Sequence, residues 1–248
     1  MKEKLAGVNS IMEALRGGRR VHKIYIQEGR GGKRIGELLS LAAKRGVFCQ
    51  YVEKNQLDRM YTQGNHQGVV AQVDVYEYST LEEILEYAAM RGEAALVLLL
   101  DGIEDPQNLG SIIRSAECAG VHGIVIPRHN ASAITPAVAR ASAGAVEHMR
   151  IAMETNLVTS IKRLKDYGLW IVAADMEDSQ DYFRAAIPSP TAVVIGGEGK
   201  GIRRLVKEKC DLVVKIPMRG ALNSLNASVA AALLIYEILR QRQEENPN

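Results

Sequence analysis

The feature that most restricts this chain is a series of short, predominantly apolar runs spaced between helical patterns in its C-terminal half. Ala94 to Leu100 (AALVLLL), Gly123 to Ile126, Leu169 to Ala174, Thr191 to Ile195 and Leu212 to Ile216 are dominated by Val, Ile and Leu and do not alternate with polar residues. A strand with continuous apolarity needs cover on both faces, which is the situation of a parallel sheet flanked by helices. Helical patterns fall between and after the runs, over Asn108 to Ala119, Pro136 to Ala143, Asn156 to Tyr167, Ile202 to Lys207 and Asn226 to Gln243. Together they predict a doubly wound α/β domain whose ligand site lies beyond the carboxyl ends of its strands.

The first 75 residues read differently. A helix over Asn9 to Arg16 stops at Gly17-Gly18, a strand follows at Lys23 to Gln27, and a helix over Arg34 to Lys44 precedes extended runs at Val47 to Val52 and Gly68 to Val75. This alternation predicts a small α/β sandwich with a mixed sheet. Thr80-Leu81-Glu82-Glu83 is a capping-box pattern that opens a helix ending near Gly92. The expected organisation is a small domain over 1–77, a linker helix over 78–92 and a larger domain over 93–248. The polar tail Gln241 to Asn248 is expected to fray.

Charge separates the two halves. The net +2 of the whole chain conceals 13 basic and 6 acidic side chains in residues 1–59, a balance of +7, and 18 against 23 in the remainder, a balance of −5. A basic lobe joined to an acidic one points to a polyanion gripped at the N-terminal end. Only 5% of residues are aromatic, which disfavours modules built on rows of stacking rings. No apolar stretch approaches the ~20 residues of a membrane span, and Met1 to Leu15 lacks the apolar core of a signal peptide, so a cytoplasmic location is expected. Cys49, Cys118 and Cys210 are widely separated and read as buried structural thiols. The five histidines form no ligand pair, so no metal is expected.

Three loops hold polar residues that the fold alone does not require. The first, DGIEDPQNLGSIIRSAECA (Asp101 to Ala119), offers Asn108 as a helix start and places Arg114 among Ile112, Ile113, Ala116 and Ala119. An Arg in that setting calls for an anionic partner such as phosphate or carboxylate. The second, GGEGKGI (Gly196 to Ile202), fails the Walker pattern because Gly201 follows Lys200, and fails GxGxxG because Ile202 stands at the last glycine. Its glycines permit close backbone approach, and Glu198 among them is either a solvated loop carboxylate or a functional one. The third, KIPMRGALNSLNASVAAALLIY (Lys215 to Tyr236), gathers Asn223, Ser224, Asn226 and Ser228 at a helix start, more polar groups than capping needs. The small residues that follow suit either a core or a subunit contact.

In this order the three segments resemble the SPOUT methyltransferase superfamily, in its SpoU (TrmH-like) branch of RNA ribose 2′-O-methyltransferases. NLGSIIRSAECAG, VVIGGEGKGI and IPMRGALNSLNASVAAALLIYE carry the resemblance, and GVNSIMEALRGGRRVHKIYI with HQGVVAQV is similar to the branch's ribosomal-protein-like substrate-binding domain. The nearest likeness is to the group that methylates a guanosine ribose in the peptidyl-transferase region of 23S rRNA; a tRNA ribose, or an RNA-binding protein without catalysis, is the alternative. The resemblance implies a deep trefoil knot in the C-terminal domain, bound S-adenosylmethionine, and a homodimer formed through that domain. It implies cofactor contacts at Gly196, Gly197, Ile216, Met218 and Leu225, and a catalytic set of Arg114, Asn108, Glu198, Ser224 and Asn226. Val8 and Ala227 depart from the residues frequent there, Arg and Val, and neither belongs to the implied chemistry. A classical Rossmann methyltransferase is disfavoured because the glycine-rich loop comes late in the chain.

Overall fold

The computed structural model describes residues 1–62, 64–176 and 180–245, without the side chain of Glu245. By contacts the chain divides into two units, one of Met1–Glu77 with Ile134–His148 and one of Tyr78–Ala133 with Met149–Asn248.

The first unit is built on a four-stranded sheet. Its elements are β1 (Lys2–Ala6), α1 (Val8–Gly17), β2 (Val21–Gln27), α2 (Lys33–Lys44), β3 (Phe48–Val52), α3 (Lys54–Met60) and β4 (Val69–Asp74). The strand order is β1-β4-β2-β3, with β2 and β3 parallel and the other pairs antiparallel. Leu5, Ile24 and Ala71 are fully buried on the face that carries α1 and α2. On the opposite face α3 covers one end, where Leu57 and Tyr61 pack on Ala6, Val52 and Val70.

Residues 134–148, which periodicity places in the larger domain, pack in this unit. They form α6 (Pro136–Ala141), after α4 (Leu81–Met90) and α5 (Pro106–Cys118) in the chain, and a 3₁₀ turn over Ala145–Glu147. Arg19, almost fully buried, pairs with Glu147 at 2.9 Å and also with Glu3. Burial raises the Glu147 carboxyl above its ordinary range, against the opposing pull of the Arg19 cation. Ser10 donates to the Ala139 carbonyl at 3.3 Å, and Gly144, with φ +90°, has no room for a Cβ beside Glu13.

The second unit is a seven-stranded, wholly parallel sheet. Its strands are β5 (Leu96–Asp101), β6 (Gly123–Pro127), β7 (Ile151–Glu154), β8 (Trp170–Ala174), β9 (Gln180–Asp181), β10 (Thr191–Gly196) and β11 (Leu212–Lys215), ordered β7-β6-β5-β10-β8-β11-β9. The remaining helices are α7 (Leu157–Asp166), α8 (Arg204–Lys207) and α9 (Ala227–Glu245). Every residue of β5 is buried, as the apolar run Leu96 to Leu100 requires, and the strand ends in the buried Asp101. The capping box at Thr80 forms, but α4 is more than a linker: Leu81, Ile84 and Ala88 belong to the same core as Val97, Leu99 and Val194.

The polar tail does not fray where it is described, because α9 continues to Glu245; residues 246–248 lie outside the described residues. The thiols also differ from expectation. Cys118 is exposed at the end of α5, Cys49 and Cys210 are half-buried, and burial pushes Cys210 up to about 12. Among the described residues no helix is long and apolar enough to cross a membrane, and no group of three or more His, Cys, Asp or Glu is placed to hold a metal ion.

Candidate active site

The site is assembled at the carboxyl ends of β5, β8, β10 and β11, and the local chemistry of each loop explains its shape. After β5, Asp105 accepts from the backbone N–H groups of Gln107 and Asn108 at 3.2 and 3.3 Å, with Pro106 in the first helical turn. Asp105 is therefore the cap, a role that Pro at the first helical position signals in the sequence. Asn108 is freed from capping and sits within the first turn, nearly buried.

The glycine loop after β10 is held from below. Asp101, 2% exposed, accepts from the backbone N–H of Arg203 at 2.8 Å and from its Nε at 2.7 Å, while the Asp101 carbonyl accepts from Gly197 N–H at 2.8 Å. A Cβ on Gly196 would lie 2.3 Å from the Gly201 carbonyl carbon, and one on Gly197 would lie 2.1 Å from the Gly102 oxygen. The glycines are thus demanded by backbone packed on backbone. Asp101 and Arg203 are the residues that the sequence reading passed over; a carboxylate ending a wholly apolar strand was the available signal.

Ahead of α9, Asn226 Oδ1 accepts from Ser228 N–H at 2.9 Å, Ser228 Oγ at 2.6 Å and Val229 N–H at 3.4 Å, so Asn226 caps that helix. Its amide nitrogen has a second use. It donates to Asn108 Oδ1 at 2.8 Å and to Glu198 Oε1 at 2.6 Å, and Asn108 Nδ2 donates to the same Glu198 oxygen at 3.1 Å. One carboxylate oxygen thereby ties together three loops from residues 108, 198 and 226.

Beside this cluster lies a pocket of about 1010 Å³, at the upper end of small-molecule sites. Ile195, Ile202, Val214, Ile216, Met218 and Leu225 supply apolar walls; Glu198, Asn223, Ser224 and Asn226 supply polar ones. Gly196 and Gly197 line it as well, with Lys200, Arg204 and Lys207. All five residues expected at a cofactor therefore border one cavity. Ser224 is exposed at its edge and Asn108 stands behind Glu198. Arg114 is not brought in: it is exposed on α5 between buried Ile113 and Ala116, outside the pocket walls, and has no carboxylate partner among the described residues.

Residues 95–236 match the model of the SpoU rRNA methylase family, and residues 4–79 match that for RNA 2′-O ribose methyltransferase substrate binding. The chain belongs to the SpoU rRNA methylase family. It is an RNA 2′-O-ribose methyltransferase that uses S-adenosylmethionine. A putative TrmH family tRNA/rRNA methyltransferase of Bacillus subtilis, YacO, is 46% identical over 236 residues, covering 95% of this chain and 94% of that one. A Staphylococcus haemolyticus protein of the same description is 41% identical, covering 98% of each. Among solved structures, the SpoU methyltransferase AviRb of Streptomyces viridochromogenes, in complex with AdoMet, superposes with a TM-score of 0.79 at 28% identity, over 97% of this chain and 90% of its own.

For this family's cofactor the pocket is a chemical fit. Its apolar walls suit a purine, and a glycine-lined loop presents backbone groups without intervening side chains.

Proposed function

We propose that the chain methylates the 2′-hydroxyl of a guanosine in the peptidyl-transferase region of 23S rRNA. The observation that carries the site assignment is the single Glu198 oxygen shared by Asn108 and Asn226, which joins the three loops at the mouth of the pocket. Gly196, Gly197, Ile216, Met218 and Leu225 hold S-adenosylmethionine, in the knot that the resemblance implies. When bound, that cofactor supplies a methyl group on a sulfonium, ready for in-line displacement.

The protein's own task is to place a ribose oxygen in line and to manage its proton. Ser224 and Asn226 lie where they can position the nucleotide. Asn108 and Glu198 fix Asn226 in turn and act as positioning residues. Arg114 meets the RNA as it docks. As a fixed cation, Arg114 binds phosphate or steadies the developing alkoxide while water accepts the proton. Its exposed place without a carboxylate partner supports that reading, because an incoming anion would be its first partner.

A homodimer belongs to the same reading. Val229, Leu233 and Tyr236 form an exposed apolar stripe along α9, next to a hollow that Tyr182 also lines. Sedimentation of the purified protein at micromolar concentration would show a two-chain species, and a monomer under those conditions would remove this part.

The substrate test is direct. Purified protein and cofactor are incubated with 23S rRNA and with total tRNA, and 2′-O-methyl groups are mapped. A single new mark on a guanosine of the peptidyl-transferase region is expected. A mark only on tRNA would replace the substrate, and none on either would leave an RNA-binding protein.

A further inference from the structure

The open face of the N-terminal sheet has a pattern that methyl transfer does not use. Strand register sets one residue from each strand in a transverse row: Lys4 pairs with Gln72, Gln72 with Lys23, and Lys23 with Phe48. The next row on the same face is Ala6, Val70, Tyr25 and Gln50. There α3 closes over Ala6 and Val70, and cover thins at Tyr25, which is only partly buried. None of the four residues in the first row is buried, and Phe48, on the edge strand, is 65% exposed.

The chemistry of the two rows is specific. The Lys4 ammonium lies 5.2 Å from the centre of the Tyr25 ring, and the Lys23 ammonium lies 5.0 Å from that ring and 5.3 Å from the centre of Phe48. Neither lysine has a carboxylate partner among the described residues. Two aromatic rings, two ammonium groups that have no carboxylate partner among the described residues, and two amides, Gln50 and Gln72, thus share one sheet face. Phe48 ends the row on the edge strand beside Lys23, with its ring open to solvent.

We propose that this face binds an unpaired stretch of the RNA substrate, with bases stacked on Phe48 and Tyr25 and phosphates met by Lys4 and Lys23. The inference rests on the reading of this protein as an RNA methyltransferase and adds where, and in what form, the RNA is held. An aromatic face accepts any base that exposes its own π-face, and in a duplex those faces are hidden by neighbouring pairs. The cations supply charge complementarity to phosphate, in keeping with the positive balance of the first 59 residues. The low aromatic content of the chain remains true, but what matters is that two of its rings occupy one open sheet face.

The test uses the full chain and three probes: a fluorescent single-stranded oligouridylate, a blunt RNA duplex of equal charge, and S-adenosylmethionine as the check on folding. Phe48→Ala should weaken oligouridylate binding by about 10-fold, as loss of a stacked base implies, with duplex binding changed by less than about 2-fold. Phe48→Tyr should restore the wild-type value. Lys4→Gln with Lys23→Gln should weaken both RNAs. The proposal is overturned if Phe48→Ala keeps oligouridylate affinity, which would hand this face to a protein partner, or if it weakens single strand and duplex equally. The two readings fail separately. Wild-type protein that binds oligouridylate through Phe48 but methylates no RNA retains this face and loses the enzymatic reading; methylation by a chain whose Phe48→Ala variant binds oligouridylate normally does the reverse.

Discussion

The two sheets of this protein dispose their polar groups in opposite ways. The seven-stranded parallel sheet is closed by helices on both faces and has only its strand ends to offer, so Asp101, Gly196, Gly197 and the Asn108–Glu198–Asn226 cluster crowd at one edge. The four-stranded sheet leaves part of one face uncovered and spreads Lys4, Gln72, Lys23 and Phe48 across all its strands. A closed sheet concentrates chemistry at a point where each group depends on its neighbour. An open sheet distributes contacts that act nearly independently. Single substitutions should therefore be severe in the first and graded in the second.

The largest effect is expected from Arg114→Ala. Loss of a cation that steadies developing charge should lower methyl transfer by about 100-fold or more, with the dissociation constant for S-adenosylmethionine held within about 2-fold. Transfer at the wild-type rate would remove Arg114 from the chemistry. Gly197→Ala comes next, since a Cβ 2.1 Å from the Gly102 oxygen forces the loop away from β5. We expect it to cost about 1–3 kcal/mol of stability and to weaken cofactor binding at the same time, measurable by thermal unfolding and titration calorimetry. A variant as stable as the parent would mean that the loop has slack the packing does not show.

Glu198→Ala leaves two amide donors without their shared acceptor. Because Glu198 itself is exposed, water recovers part of the loss, and a fall in turnover of about 10-fold is expected. Glu198→Gln, which keeps an acceptor oxygen, should recover most of that turnover; equal loss in both variants would mean that the charge itself matters. The smallest change belongs to the open sheet. Lys23→Gln should reduce the slope of log affinity for RNA against log salt by about one unit and leave cofactor binding insensitive to salt. A collapse of RNA binding from this one change would contradict the distributed character assigned to that face.

Legibility in the sequence followed the same division. The apolar runs of β5, β6 and β10 were readable because strands buried on both faces admit few other residues, and those of β8 and β11 from the same Val and Ile content at lower burial. β1 was not, since KEKLA turns only Leu5 and Ala6 inward, and α3 was not, since KNQLDRM has the single buried Leu57. β7, with four residues and two buried, falls below any periodic signal. At the site, the three polar loops were visible as surplus polar residues, and their meeting at one pocket follows from strand order. Two assignments failed for local reasons. The start of α5 was set at Asn108 although Asp105-Pro106 opens the helix, and Cys118 was read as buried although it is exposed at the end of α5. Residues 134–148 fall within the larger domain by sequence order yet pack in the smaller unit, because a short amphipathic helix does not state which core it joins.

That last segment bears on how this gene can be dissected. A fragment ending at residue 77 would look like a complete substrate-binding module by linear matching, since the family model stops at residue 79. It would lack the helix and turn over 134–148, and with them Glu147, one of the two carboxylates, with Glu3, that pair with the nearly buried Arg19 guanidinium. The same fragment would uncover the surface of α1 where Val138, Ala139 and Val146 now lie buried. The module is discontinuous in the chain, so an expression clone, a domain swap or an evolutionary transplant of the first 77 codons would carry away an unfinished object.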